Sequence, residues 1–324
     1  MTAVDALVTG AGGFIGGHLV RSLLADGQSV RGVDVKPFDE WHQVHDDAQN
    51  SVGFVSLLEE ARRAVAGAGV VYNLAADMGG MGFIDNNKAA CMLSVLASTH
   101  VLQAAKEAGV SRYFYSSSAC VYAAEHQTSP DVTALREQDA YPAMPEDGYG
   151  WEKLFSERMC RHFLEDYGLQ TRVARYHNVY GEFGTWDGGR EKAPAAICRK
   201  VARAALTGEH VIEIWGDGEQ TRTFMYIDDC VNGTRMIAAS DDPDPVNLGS
   251  DELVSINELV SIVEQIAGVT LERRHDLSAP QGVRGRSSDN SEIKRRFGWA
   301  PSTTLRDGLE RTYAWIHDEV KATL

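Results

Sequence analysis

The sequence predicts an α/β fold, a doubly wound parallel sheet followed by a smaller, discontinuous α/β C-terminal lobe. Three observations carry this. Short apolar runs alternate with amphipathic stretches through the first half, the pattern of parallel strands joined by helices. A glycine-rich loop, Thr9-Gly10-Ala11-Gly12-Gly13-Phe14-Ile15-Gly16, separates the first apolar run from the first helical stretch. From about residue 180 the alternation loosens, and glycine and charged residues dominate before helical spacing resumes.

Residues 6–9 read as the first strand and 15–24 as its helix. Residues 29–33, 70–74 and 113–116 are further strands, and 98–108 is a helix. After Tyr149, Trp151, Leu154, Phe155, Met159 and Phe163 recur at helical spacing and predict a helix with one apolar face. Residues 171–176 return as a strand and 193–206 as a helix. A further helix over 226–239 is entered from a strand, with Asp228 or Asp229 as its cap. This layout gives a nucleotide-binding domain over 1–176, to which about 224–248 returns, and a substrate lobe made mainly of 177–324.

Composition bounds the function. The chain has 324 residues, 44% hydrophobic and 24% charged, as expected for a soluble globular enzyme. A net charge of −15 argues against a nucleic-acid partner. Its five cysteines, Cys91, Cys120, Cys160, Cys198 and Cys230, form neither a CxxC pair nor a His/Cys cluster. A disulfide framework and a metal site are therefore not expected, and a reducing cytoplasm fits. A strand-like segment begins almost at once, so no signal peptide is read, and no apolar run approaches the roughly 18–20 residues of a membrane span.

The glycine loop lies between a strand and a helix, the setting in which such a loop cradles a dinucleotide. Gly10 permits the tight turn, Gly13 close approach to a pyrophosphate, and Gly16 packing of helix on sheet, as in Rossmann-type domains. Asp34 closes the second strand, where a carboxylate accepts hydrogen bonds from a ribose 2′-OH and repels a 2′-phosphate. The expected cofactor is NAD.

Tyr149 and Lys153 stand four apart on a predicted helix and face the same way. A lysine ammonium favours the phenolate, lowering a pKa that starts near ~10. Such a tyrosine takes the proton of a sugar hydroxyl while hydride leaves the carbon, and Ser118 can hydrogen-bond the same oxygen. A YxxxK match is common by chance; its position downstream of a dinucleotide loop makes it informative. Together the glycine loop, Ser116-Ser-Ser-Ala-Cys-Val-Tyr122 and the Tyr149/Lys153 pair resemble the extended short-chain dehydrogenases/reductases, which mostly modify nucleotide sugars.

More narrowly, Asn73-Leu-Ala-Ala-Asp-Met-Gly-Gly-Met-Gly-Phe-Ile84 and the run 175–196 resemble the GDP-mannose 3,5-epimerases. So do Trp215-Gly-Asp-Gly-Glu-Gln-Thr-Arg222, Asn247-Leu-Gly-Ser-Asp-Glu252 and Gly282-Val-Arg-Gly-Arg-Ser-Ser-Asp-Asn290. The resemblance implies that Cys120 and Lys192 are an acid/base pair on opposite faces of the sugar. Oxidation at C4 acidifies the hydrogens on C3 and C5, so one group must remove a proton and another deliver one. A thiol starts near ~8.5 and a lysine near ~10.4, so modest tuning suffices, and an ammonium near a thiol favours the thiolate.

The resemblance also assigns Phe14, Ile15, Leu74 and Ala75 to the cofactor, and Gly79, Gly80, Met81, Asn178, Lys192, Lys200, Arg222, Arg284 and Arg286 to a GDP-sugar. It implies a homodimer joined through helices, one of them bearing Tyr149. The reaction expected is epimerisation of GDP-D-mannose at C5, with C3 following, to GDP-L-galactose and/or GDP-L-gulose. Alternatives are a strict 5-epimerase, and a 4-epimerase or 4-keto reductase of another nucleotide sugar, for which Cys120 and Lys192 are superfluous. A non-enzymatic NAD-binding regulator is disfavoured by the intact Tyr149/Lys153 pair. Dehydration is disfavoured because Ala119 stands where related dehydratases carry an acid.

His177 reads as a positioning or core residue, and the other four cysteines as packing. Departures from the family are Ala124 and Glu182, each where proline is usual and both expected near the sugar. The third strand is expected to end at Ser56-Leu57 without the usual aspartate, and Ser94 and Ser98 stand where the superfamily has an asparagine.

Overall fold

The computed structural model describes residues 2–279 and 282–324. Strand β1 (Val4–Thr9) runs into the glycine loop, whose Gly10 has φ 75°, and α1 (Phe14–Ala25) starts directly after it. Then come β2 (Val30–Asp34), β3 (Gln49–Val52), α2 (Leu58–Val65), β4 (Ala68–Asn73), α3 (Met81–Asn86) and α4 (Lys88–Ala108). Strand β5 (Arg112–Ser118), α5 (Tyr149–Tyr167) and β6 (Thr171–Tyr176) complete the first half. Helices α4 and α5 each end at a glycine in the left-handed region, Gly109 and Gly168, where the chain turns back toward the sheet.

These strands form one parallel sheet in the order β10-β6-β5-β4-β1-β2-β3, closed at one edge by β10 (Val246–Leu248) from late in the chain. Its two faces bury different residues of the same strands. Ala6, Val8 and Phe114 join one core with Leu19, Leu23 and Val231. Leu7, Tyr113 and Tyr115 join the other with Ala61, Val101 and Cys160. The period-two alternation thus places helices on both sides.

The remaining elements are β7 (Asn178–Tyr180), α6 (Ala193–Thr207), β8 (Val211–Trp215), β9 (Thr221–Tyr226) and α7 (Ile227–Ala239). After β10 come β11 (Leu253–Ser255), α8 (Ile256–Ala267), β12 (Glu272–Asp276), β13 (Gly285–Arg286), α9 (Ser291–Phe297) and α10 (Leu305–Thr323). Strand β9 pairs with β7, β11 and β13, and β8 with β12.

Local expectations are corrected in four places. The helix expected over 98–108 begins at Lys88; its first turns expose Met92, Leu93 and Leu96, so they lack a one-sided apolar pattern. On α5, Leu154 is buried but Trp151 and Phe155 are exposed, so the apolar spacing there covers two faces. Tyr226, not an aspartate, is the N-cap of α7, and Asp229 accepts from the backbone N–H groups of Ser302 and Thr303 instead. Strand β3 ends at Val52, while Ser56-Leu57 leads into α2.

Candidate active site

The glycine loop has no room for side chains where the sequence lacks them. A Cβ on Gly16 would lie 2.0 Å from the Gly10 carbonyl oxygen, and one on Gly10 about 3 Å from the Leu74–Ala75 peptide. Gly13 is the N-cap of α1 and brings no capping side chain to its first turn, which includes Phe14, Ile15 and Gly16. Asp34 accepts from the N–H groups of Gly12 and Lys36, each at 3.0 Å, and holds its carboxylate at the end of β2. A tight backbone cradle, an uncapped helix start and this carboxylate fit the pyrophosphate and ribose of a dinucleotide.

Strand β5 delivers Ser118, whose hydroxyl accepts from the Cys120 N–H at 3.2 Å as the chain turns. Helix α5 begins against this turn: a Cβ on Gly150 would lie 2.3 Å from the Cys120 carbonyl. That contact seats Tyr149 beside Ser118, whose hydroxyl acts to lower the phenol pKa. Lys153, one turn on and fully buried, donates to the Ser116 carbonyl at 3.0 Å and lies 3.6 Å from the Glu152 carboxylate. Its ammonium sits over the Tyr149 ring, 5.3 Å from the centroid.

The lowered phenol expected from the lysine is not found. Burial raises the Tyr149 hydroxyl well above its ordinary value, with Cys120 and Glu152 adding to the effect. Lys153 is held by Ser116 and Glu152.

Cys120 is buried in a small apolar cluster with Ile84, Cys91 and Tyr149, bordered by Ala76, Met78 and Phe83. Lys192 approaches from the other half of the molecule, at the start of α6. Its loop is docked on the 78–81 segment: the Gly80 N–H donates to the Arg190 carbonyl at 3.0 Å, and a Cβ on Gly80 would meet the Glu191 carbonyl at 2.6 Å. The backbone of Gly79 and Gly80 is thereby brought beside Lys192; the Met81 side chain lies outside the described residues. Desolvation lowers the Lys192 ammonium below its usual range, while Cys120 acts in the opposite sense.

Two arginines complete this cluster. Arg222 and Arg286 are register partners on β9 and β13. Arg222 donates to the Val283 carbonyl at 2.5 Å, and burial pulls it down to about 10, opposed by Cys120. Arg286 donates to the Cys120 sulfur at 3.7 Å. Asn178 lies nearby on β7 and donates to the Thr223 carbonyl of β9.

Lys200 and Arg284 stand apart from the Cys120 cluster. Lys200 donates to the Glu213 carbonyl at 2.7 Å, and Arg284 makes two 2.7 Å hydrogen bonds to Asp217. Glu182 turns toward Tyr226 and Arg311 of α10, and Ala124 is exposed, so neither joins the cluster. Ser94 accepts from the Asp77 N–H and Ser98 donates to Glu152. His177 is buried against Asn247, and burial lowers it to about 4.

Two residues escaped the sequence reading. Gln127 accepts from Arg286 Nε at 2.6 Å, and Glu146 pairs with the same guanidinium. Gln127 ends a short 3-10 turn and Glu146 lies in a loop, neither within a motif; the available signal was that a buried arginine needs a counter-acid.

A model of the NAD dependent epimerase/dehydratase family matches residues 6–249. The GDP-mannose 3,5-epimerase 1 of Oryza sativa subsp. japonica is 46% identical over 97% of this chain and 82% of its own length. The GDP-mannose 3,5-epimerase of Arabidopsis thaliana is 45% identical over the same shares. The chain belongs to the GDP-mannose 3,5-epimerase family, within the NAD dependent epimerase/dehydratases.

Among solved structures, a Thermotoga maritima UDP-glucose 4-epimerase with UDP-glucose has a TM-score of 0.87 at 26% identity, covering 97% of this chain and 99% of that one. MoeE5 in complex with UDP-glucuronic acid and NAD gives 0.80 at 30% identity, with the same coverage. Both matches span nearly the whole length of either chain.

Proposed function

We propose that this protein is an NAD-dependent nucleotide-sugar epimerase that acts on GDP-D-mannose, inverting C5 with C3 following. The observation that carries this reading is the convergence of Cys120 and Lys192 beside Tyr149 and Ser118, from opposite halves of the chain. A dehydrogenase needs only the tyrosine, lysine and serine. Two further proton carriers suit chemistry at carbon.

NAD, when bound on the glycine loop, would take the hydride from C4 of the hexose and return it after the proton exchange, leaving the cofactor unchanged overall. Ser118 and Tyr149 hold the C4 oxygen, and Tyr149 takes its proton, with the Lys153 ammonium fixed over the phenol ring. The resulting ketone acidifies the hydrogens on C5 and C3. Cys120 and Lys192 then remove and deliver protons on opposite faces, and the apolar wall of Ile84, Met78 and Phe83 keeps bulk water from competing. Arg222 and Arg286 meet the diphosphate, with Asn178 beside them. Lys200 and Arg284 serve the substrate only by leaving their present carbonyl and carboxylate partners.

The deciding experiment is incubation with GDP-D-mannose in D2O, followed by NMR. Deuterium at C5 and C3 with GDP-L-galactose formed is the expected result. Deuterium at C5 alone with GDP-L-gulose makes it a 5-epimerase, and no exchange by NAD-loaded protein sinks the assignment.

A cytoplasmic homodimer completes the proposal. The exposed Leu93 and Leu96 of α4 and Trp151 and Phe155 of α5 form an apolar face on packed neighbouring helices, suited to a second copy. Five unpaired, buried thiols suit a reducing compartment. Among the described residues no helix is long and apolar enough to cross a membrane.

A further inference from the structure

The charge around Cys120 is one-sided until Glu146 is counted. Arg286 donates to its sulfur, and Arg222 and Lys192 act on it electrostatically. The uncharged groups facing it are Tyr149, Cys91 and Ser118. Glu152 lies behind Tyr149, committed to Lys153, Ser98, Tyr115 and Ser156. Cations gathered at a thiol favour its thiolate unless an anion opposes them.

An acid/base group must carry the proton in one part of the cycle and lack it in another, so a permanent thiolate is as useless as a permanent thiol. Glu146 supplies the opposing charge. Its side chain is almost buried, it pairs with Arg286, and its own N–H donates to the Cys120 carbonyl at 2.9 Å. Gln127 fixes the other edge of the guanidinium through Nε. Arg286 is thus clamped between a neutral amide, a carboxylate and the sulfur.

We infer that Glu146 is a positioning residue for the acid/base thiol: by neutralising Arg286 it keeps Cys120 able to exchange its proton in both directions. The inference rests on the reading of Cys120 as a proton carrier. Glu146 acts on the thiol through Arg286.

The test follows alkylation of Cys120 by iodoacetamide against pH in the full-length, NAD-loaded protein without sugar, read by mass spectrometry of the Cys120 peptide. Removing one nearby negative charge favours the thiolate, so in Glu146→Gln the midpoint falls by about one pH unit. Glu146→Asp keeps the charge and stays close to wild type. If Glu146 served only to anchor Arg286, its loss would free the guanidinium from the sulfur and move the midpoint upward. An upward or unchanged midpoint overturns the inference.

Misfolding announces itself through alkylation of the other four cysteines, and Glu146→Met then provides the uncharged variant. Alkylation reads the thiol and not turnover. Failure of the reading of Cys120 as a proton carrier is visible separately, as deuterium wash-in from D2O that survives Cys120→Ala.

Discussion

Arg175 and Glu157 meet through two hydrogen bonds, Nε to Oε1 at 2.9 Å and Nη2 to Oε2 at 2.7 Å, with both side chains buried. The pair pins α5 to β6 one turn beyond Lys153, and Ser117 of β5 donates to the same carboxylate. Glu157→Ala leaves a buried guanidinium without its carboxylate and should destabilise the fold by about 3–5 kcal/mol. Urea denaturation measures it, and a loss below about 1 kcal/mol contradicts this account of the pair.

The crowding at Gly16 gives a cofactor prediction. Gly16→Ala cannot keep α1 where it is, because the new methyl would meet the Gly10 carbonyl. NAD affinity, followed by tryptophan fluorescence, should fall on the order of tenfold or more, the equivalent of about 1.4 kcal/mol. Gly13→Ala, with 3.2 Å available, should be milder.

Cys120→Ala and Lys192→Met should each slow epimerisation by about 10²–10⁴-fold, the usual worth of a positioned acid or base. Both should leave reduction of bound NAD by GDP-D-mannose detectable at 340 nm, whereas Tyr149→Phe should remove that as well. A Cys120→Ala protein with near-normal turnover would point to a 4-epimerase.

Buried His177 makes stability depend on pH. Its pKa falls from an ordinary 6.5 to about 4 in the folded protein, chiefly through desolvation. Between those values the unfolded chain binds a proton that the folded one does not, so this contribution is complete above 6.5 and is lost as pH falls toward 4. The urea midpoint should drop from pH 7 to pH 5, and His177→Gln should flatten that dependence.

The apolar face on α4 and α5 predicts that Leu93→Lys combined with Phe155→Lys gives a monomer in sedimentation equilibrium, with the fold intact by circular dichroism. A wild-type monomer would remove the dimer proposal.

What the sequence made legible follows from distance along the chain. The glycine loop is contiguous, and Tyr149 and Lys153 share one helix, so their geometry follows from spacing alone. Cys120 and Arg286 are 166 positions apart, and only the resemblance put them in one site. Glu146 was invisible because its meaning depends on a strand late in the chain. The phenol was misjudged because spacing reports which way Lys153 points but not that Ser116 and Glu152 already hold it. The helix start at Lys88 and the Trp151–Phe155 face were misread for a related reason: apolar side chains that the fold leaves exposed look like core in a sequence.

Strand β10 has a consequence for biosynthesis. Val246–Leu248 covers the outer edge of β6, pairing Val246 with Ala174 and Leu248 with Tyr176. A ribosome makes β6 long before it makes β10, so during the intervening elongation the nascent sheet carries an open row of backbone donors and acceptors. Such an edge recruits other strands. The protein is therefore most exposed to misassembly while still attached to its ribosome, and chaperone demand should peak before residue 246 emerges.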